Sequence, residues 1–425
     1  MQLKDMDVAQ LRKLQAELQM QYQEWQQRGL NLNMSRGKPC KEQLDLSMPM
    51  LDIKETQAAD GTDARNYGVL DGLPEAKAFM AAYMAVPEAN VIVFGNSSLN
   101  IMYDTVMRAY VFGVLPGSTP WKDQGKVKFL CPVPGYDRHF GVTEAFGFEL
   151  IEVPMTEQGP DMDTVEALVA KDPQIKAIWC VPKYSNPQGI TYSDETVRRF
   201  ARLKPAAKDF RIYWDNAYGV HHLYDIDQDN LVEIMAECKR AGNPDMVYKF
   251  CSTSKISFPG SGVAAIAASA NNLVEIREQM RIATIGHDKV NQLRHVRFFK
   301  DIYGMTEHMR KHAEILRPKF EMIVDTFERE LGGRGAGSWI SPKGGYFIAF
   351  EALEGCAKAI VAKAKAAGVT MTPAGAPFPY GKDPKDSIIR IAPTYPSLEN
   401  LKIATDIFVI CVKLATIEKM LRKEA

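Results

Sequence analysis

The sequence predicts an α/β protein. A large domain is built on a mostly parallel seven-stranded sheet flanked by helices, and a smaller α+β domain is assembled from both chain ends. Three observations carry this. Short apolar runs alternate with helix-period stretches through the middle of the chain, as strands joined by helical crossovers do. Polar residues gather just past the ends of those runs, the edge at which open parallel sheets bind ligands. A length of 425 residues exceeds what one core serves, so two domains are expected: 51–309 large, 1–50 with 310–425 small.

Val8, Leu11, Leu14, Leu18, Tyr22 and Trp25 recur at three- and four-residue spacing, predicting a helix over 6–26. Its apolar stripe packs on the C-terminal part of the chain or on a partner subunit. Its polar face is rich in Gln and Glu, which argues against a lipid surface. At Arg36-Gly37, glycine permits close backbone approach to a ligand and Arg36 is a candidate anion contact. The glycine-punctuated loop from Asn66 leads into a helix over 75–84, with Pro74 at its start. A strand over 91–94 breaks at Gly95-Asn96-Ser97-Ser98 and resumes as a helix over 99–112. That arrangement aims backbone N–H groups and the hydroxyls of Ser97 and Ser98 at a phosphate; a plain N-cap serine is the alternative. A strand over 127–131 ends in Pro132-Val133-Pro134-Gly135-Tyr136, placing an aromatic where it can cover a flat ring. Another strand covers 148–153.

Chemistry-bearing residues then arrive in order. A strand over 175–181 runs into a loop holding Asn186, and a strand over 211–215 ends in Asp215, with Tyr218 close behind. The run Met246–Phe250 ends in Cys251-Ser252-Thr253-Ser254-Lys255, and a last strand covers 263–268. Helices are expected over 194–204 and 231–240. Asn186, Asp215, Tyr218 and Lys255 should therefore converge at one sheet edge. A desolvated lysine beside hydroxyls has a lowered pKa and can form a Schiff base with a carbonyl. A carboxylate beside a pyridine nitrogen keeps that ring protonated and electron-withdrawing. A tyrosine hydroxyl and an asparagine amide can donate to a phenolate oxygen, and a released lysine can carry a proton. These tasks fit one cofactor, pyridoxal phosphate. Singly, Asp215 reads equally as an N-cap, Asn186 as an Asx-turn before proline, and Lys255 as a surface lysine.

Composition excludes other classes. Lys+Arg and Asp+Glu both number 52, so charge gives no reason to expect nucleic acid or an anionic membrane. No apolar run approaches a membrane span, and the acidic, amphipathic N-terminus is unlike a signal peptide. Seven dispersed cysteines without a CxxC pair suggest buried thiols in a reducing cytoplasm, with neither disulfides nor a metal site. No GxGxxG occurs, and Gly381-Lys382 is followed by Asp383, which rules out a P-loop.

Asn186-Pro187-Gln188-Gly189, Asp215-Asn216-Ala217-Tyr218, Ser252-Thr253-Ser254-Lys255 and Arg390 in Ile389-Arg390-Ile391-Ala392 together resemble the fold-type I pyridoxal-phosphate aminotransferases. The resemblance runs from about Asn31 to about Asn400 and is nearest to the aspartate aminotransferase subgroup that is similar to the aminotransferase domain of MocR-type regulators. It implies that Lys255 carries the cofactor, Asp215 holds its pyridinium N–H, and Tyr218 and Asn186 bind its phenolate oxygen. It further implies that Tyr136 stacks on the ring and that Ser97, Ser98 and Ser252 hold the phosphate. Tyr67 would reach the neighbouring subunit's phosphate in a homodimer with shared sites. Arg390 would grip the substrate α-carboxylate, with the backbone of Gly37 against it. Lys289 and Arg294 fall where related enzymes cross to the neighbouring site and bind a distal carboxylate. One departure stands out: the family's basic residue eight positions past the lysine is here Val263. Ser261 with backbone amides, or a cation from elsewhere, would have to serve.

The remaining pattern predicts a linking helix over 306–331, a strand over 344–350, a helix over 357–367 and a strand over 387–392 that delivers Arg390. A final helix covers 398–421, and the Gly375–Gly381 loop edges the site. The expectation is a dimeric aminotransferase acting on aspartate, or another dicarboxylic amino acid, with 2-oxoglutarate. It works ping-pong through Lys255. Two rivals remain open. Transfer from another amino acid, or lyase chemistry, begins with the same Schiff base. A non-catalytic effector-binding module, as in the regulators, wants a DNA-binding domain ahead of the single N-terminal helix.

Overall fold

A computed structural model describes residues 2–423. The main sheet has eight strands, in the order Val91–Val93, Ala264–Ala267, Val247–Ser252, Arg211–Asp215, Ile175–Cys180, Lys128–Val133, Glu149–Thr156, Gly159–Pro160. The five strands from Val247–Ser252 to Glu149–Thr156 pair in parallel, while Ala264–Ala267 runs antiparallel to both neighbours. Seven of the eight are the expected strands. The eighth is a two-residue return that the pattern missed, closed by Thr156 Oγ1 donating to the Gly159 carbonyl at 2.9 Å, with Gly159 at φ +118°.

Every residue of Ile175–Cys180 and of Arg211–Asp215 is buried. Helices cover both faces of such a sheet, which is why these strands read as unbroken apolar runs rather than alternating ones. Strand order reverses between Lys128–Val133 and Ile175–Cys180. A ligand-binding crevice is expected beyond the C-terminal ends of strands at such a switch point. Tyr136 follows the first of these strands and Asn186 the second.

A second core combines Leu11, Leu18 and Tyr22 with Phe320, Phe350 and Phe408. Helix Val8–Gln27 lies against helix Leu398–Lys423, and its Tyr22 hydroxyl donates to the Lys363 carbonyl at 2.8 Å. Strand Ile348–Ala352 is central to an antiparallel sheet with Gly337–Trp339 and Ile388–Ile391. The strand expected over 344–350 therefore begins only at Ile348. Gly344 and Gly345 instead strap this part to the large sheet's loops, Gly345 N–H donating to the His221 carbonyl at 2.9 Å. A Cβ at Gly344 would lie 2.5 Å from Tyr184 Cδ2 and closer still to Cε2, so close packing, not strand pairing, explains the glycine pair. The helix expected over 231–240 starts late, at Ile234. There the Glu233 carboxylate caps it, accepting from Met235 and Ala236 N–H at 3.0 and 2.6 Å. The helix expected over 194–204 ends early, at Ala201. Among the described residues no helix is long and apolar enough to cross a membrane, and no group of three or more His, Cys, Asp or Glu could hold a metal.

Candidate active site

Lys255 lies three residues past the end of strand Val247–Ser252, in a turn pinned from both sides. Ser252 and Ser254 hydroxyls donate to the Asn96 carbonyl at 2.8 and 2.9 Å, and the two hydroxyls are 2.7 Å apart. On the other side Thr253 Oγ1 accepts from Val263 N–H at 2.9 Å. Alternating hydroxyls thus tie the turn to the loop at Asn96 on one face and to the residue that leads into strand Ala264–Ala267 on the other. Lys255 Nζ stands 5.1 Å from the Tyr218 ring centroid and 5.9 Å from that of Tyr346. Burial lowers the pKa of this amine, against an opposing pull from the Asp215 carboxylate.

Asp215, the last residue of its strand, is 3% exposed. Its Oδ2 sits 2.9 Å from Nε2 of buried His139, whose ring stacks on Trp179 at 4.6 Å and 15°. Its Oδ1 is buried and has no partner. An unpaired carboxylate oxygen in such a place is costly unless a ligand supplies a donor. Tyr218 is buried and its phenol is pushed well above the usual range by desolvation; burial takes that of Tyr136 up to about 12. Both are therefore neutral hydroxyls that can donate. Ser97 caps helix Ser98–Phe112, accepting from Asn100 N–H at 3.4 Å.

Ser97, Ser98, Tyr136, Asn186, Asp215, Tyr218, Ser252 and Lys255 line one cavity of about 190 Å³. The remaining expected residues are arranged around it or apart from it. Arg390 comes from strand Ile388–Ile391; its Nη1 donates to Asp137 Oδ1 at 2.7 Å and to Asn186 Oδ1 at 3.4 Å. Its Cζ is 5.0 Å from the Phe347 ring centroid, and a Cβ built on Gly37 would approach Phe347 Cε1 to 2.6 Å. Tyr67, 82% exposed, and Lys289, which is buried, line a separate open depression with Gly286 and His287. Arg294 lines neither cavity, and its Nε is buried without a partner.

Val263 is 3% exposed in an apolar cluster with Val93, Cys251 and Ile256. Ser261 is exposed and lies outside the cavity lining, whereas Ser254 lines it. Lys255 is the one cation among the cavity-lining residues.

Sequence reasoning missed His139, Asp137, Ser254, Tyr346 and His221. Ser254 lies within the motif but received no role. Tyr346 OH and His221 Nε2 each stand 3.4 Å from the Lys255 carbonyl. A histidine three places after Tyr136, on the first turn of helix Asp137–Ala145, was the available signal for His139.

The chain matches the aspartate amino-transferase family over residues 6–424. It belongs to that family. This aminotransferase is 48% identical over 413 residues to a putative aminotransferase of Mycolicibacterium smegmatis, covering 96% of each chain. It is 42% identical over 419 residues to the aspartate aminotransferase of Corynebacterium glutamicum, covering 98% of this chain and 96% of that one. The crystal structure of an aspartate transaminase from Corynebacterium glutamicum matches it with a TM-score of 0.96 at 41% identity, over 99% of both chains. A more distant likeness, of fold alone, is to the α-aminoadipate aminotransferase of Thermus thermophilus. The TM-score is 0.71 at 20% identity, over 93% of this chain and 94% of that one; that protein was complexed with N-(5'-phosphopyridoxyl)-L-leucine.

Proposed function

We propose that this aminotransferase uses pyridoxal phosphate to exchange amino groups between aspartate, or another dicarboxylic amino acid, and 2-oxoglutarate in two ping-pong half-reactions. The observation that carries the reading is that the Lys255 amine and Asp215, with its unpartnered buried Oδ1, border one cavity. Asp215 Oδ1 would accept from the N–H of a protonated heterocycle held in this cavity. Ser97 and Ser98 at the start of helix Ser98–Phe112 offer hydroxyls and backbone N–H groups to a phosphate, and Ser252 and Ser254 line the same cavity and would turn their hydroxyls from the Asn96 carbonyl toward it, so the residues present fit the group.

When bound, pyridoxal phosphate supplies a carbonyl carbon for Schiff-base exchange and a ring that draws electrons from the substrate α-carbon. Asp215, oriented by His139, keeps a proton on the ring nitrogen. Tyr218 and Asn186 donate toward the phenolate oxygen. Tyr136 covers the ring face. Lys255, whose pKa burial lowers, takes and returns a proton at the substrate α-carbon. Arg390 receives the α-carboxylate, and the same guanidinium serves amino acid and oxo acid in turn.

The site is completed by a second copy of the chain. Tyr67, 82% exposed, lies in the same depression as Lys289, and Ile282 and Ile285 are 83% and 62% exposed. Apolar residues so exposed suit a subunit interface. A homodimer covers them and turns Tyr67 toward the partner's phosphate, while Lys289 and Arg294 select a distal carboxylate. The name of the Corynebacterium relative supports aspartate as donor.

Lys255→Ala is expected to lose the visible absorbance of the protein-bound cofactor and all amino transfer while keeping the wild-type circular dichroism. Borohydride reduction and peptide mapping should place the label on Lys255. A label on another lysine would refute the assignment. In a half-reaction screen over the twenty amino acids, aspartate and glutamate should discharge that absorbance fastest; a preference for an aromatic or aliphatic donor would overturn the substrate class.

A further inference from the structure

Arg390 is held by side chains from two other elements. Its Nη1 is engaged by Asp137 Oδ1 at 2.7 Å and Asn186 Oδ1 at 3.4 Å, and its Nε is buried without a partner. The arginine side chain is 9% exposed, against 34% for Asp137. Asp137 opens helix Asp137–Ala145 beside the large sheet, whereas Arg390 belongs to the smaller antiparallel sheet, 253 positions along the chain. None of the chemistry above uses Asp137.

A guanidinium is a rigid plane with five N–H donors. It takes both oxygens of a carboxylate only when that plane is presented in the right orientation. Capping Nη1 with a carboxylate and packing Phe347 at 5.0 Å from Cζ fixes the plane, leaving Nε and Nη2 for an incoming ligand. Exposed ion pairs are worth little, but this arginine is nearly enclosed, so its partners decide where it points.

We propose that Asp137 is a positioning residue for Arg390, setting the affinity of the site for the substrate carboxylate in both half-reactions. The inference rests on the reading of Arg390 as the carboxylate clamp. It assigns Asp137 no contact with the reacting atoms. Its removal should therefore weaken binding and spare the chemical step.

The test compares Asp137→Ala and Asp137→Asn with wild type in steady-state kinetics and in calorimetric titration with succinate. Asp137→Ala should raise KM for amino acid and oxo acid by roughly tenfold, raise the succinate Kd by a similar factor, and change kcat by less than about threefold. Asp137→Asn keeps an acceptor oxygen and should recover to within about threefold of wild type. Both should keep the visible absorbance of the bound cofactor. Wild-type KM and Kd in Asp137→Ala would overturn the proposal, as would a loss confined to kcat or an asparagine variant as impaired as the alanine one. Should Asp137→Ala not fold, a cycle of Asp137→Ser, whose hydroxyl is too short to reach Arg390, with Arg390→Lys decides. The aspartate substitution should add nothing once Arg390 is replaced, and additive losses would overturn the coupling. A wild-type protein that turns over no amino donor would bring down the reading of the site itself. An active wild type with a silent Asp137→Ala brings down this inference alone.

Discussion

Replacing Gly37 by alanine puts the packing behind Arg390, the proposed carboxylate clamp, under a defined stress. The new Cβ would approach Phe347 Cε1 to 2.6 Å and Cζ more closely still, whereas ordinary van der Waals contact begins at 3.4 Å. The ring must retreat by close to an ångström. Phe347 is 6% exposed, so it has no empty space to enter, and overpacking of this kind costs about 1–3 kcal/mol. The Arg390 guanidinium carbon is 5.0 Å from the centroid of that ring, so the displacement is passed to Arg390. A misplacement of about an ångström at a binding group can cost on the order of 10²-fold in rate. Gly37→Ala should therefore raise KM for both amino acid and oxo acid by roughly 10- to 100-fold, with a Tm lower by a few degrees. The cofactor's visible absorbance should be retained, because Lys255 and Asp215 are untouched. The assay is steady-state kinetics of both half-reactions, with a thermal melt on the same preparation. A variant with wild-type KM for both substrates would refute the reasoning that Gly37 is there to let Phe347 support Arg390.

Two further outcomes follow from the same geometry. Arg390→Lys keeps a charge but not the planar fork, so KM for amino donors should rise by at least about tenfold with cofactor absorbance intact; unchanged saturation would contradict the carboxylate role. Acid should destabilise the fold through its buried histidines. Desolvation holds His312 down to about 3 and His295 to about 4, while the unfolded chain protonates near the ordinary 6.5. The unfolded state thus binds protons first as pH falls. The stability these neutral histidines preserve is complete above about 6.5 and is lost progressively toward 3–4. At pH 5 the loss is about 2 kcal/mol for each. Urea midpoints should decline between pH 7.5 and 5, and His312→Gln should flatten the slope; a level wild-type profile would refute this.

The motifs were legible because each occupies a strand end, where local pattern alone places it. Asn186, Asp215, Tyr218 and Lys255 each follow an apolar run, and parallel pairing of those runs brings their C-terminal ends to one edge. Boundaries were less secure wherever a cap or close packing overrode pattern: Glu233 delays one helix to Ile234, and Tyr184 keeps Gly344 out of a strand. The pocket's support could not be read at all. Gln43 Nε2 donates to Tyr346 OH at 3.0 Å and stands 2.9 Å from His312 Nδ1, while Tyr346 in turn reaches the Lys255 carbonyl.

By itself, then, the order of residues determined the alternation of strands and helices, the sheet edge that carries the chemistry, and the residue types gathered there. All of these depend on patterns a few positions long. Only the tertiary structure decided that His139 orients Asp215 across 76 positions, that Asp137 occupies Arg390 across 253, and that Val263 packs into an apolar cluster. Such pairings arise when elements distant in sequence pack together, and no local periodicity records which side chains will then meet.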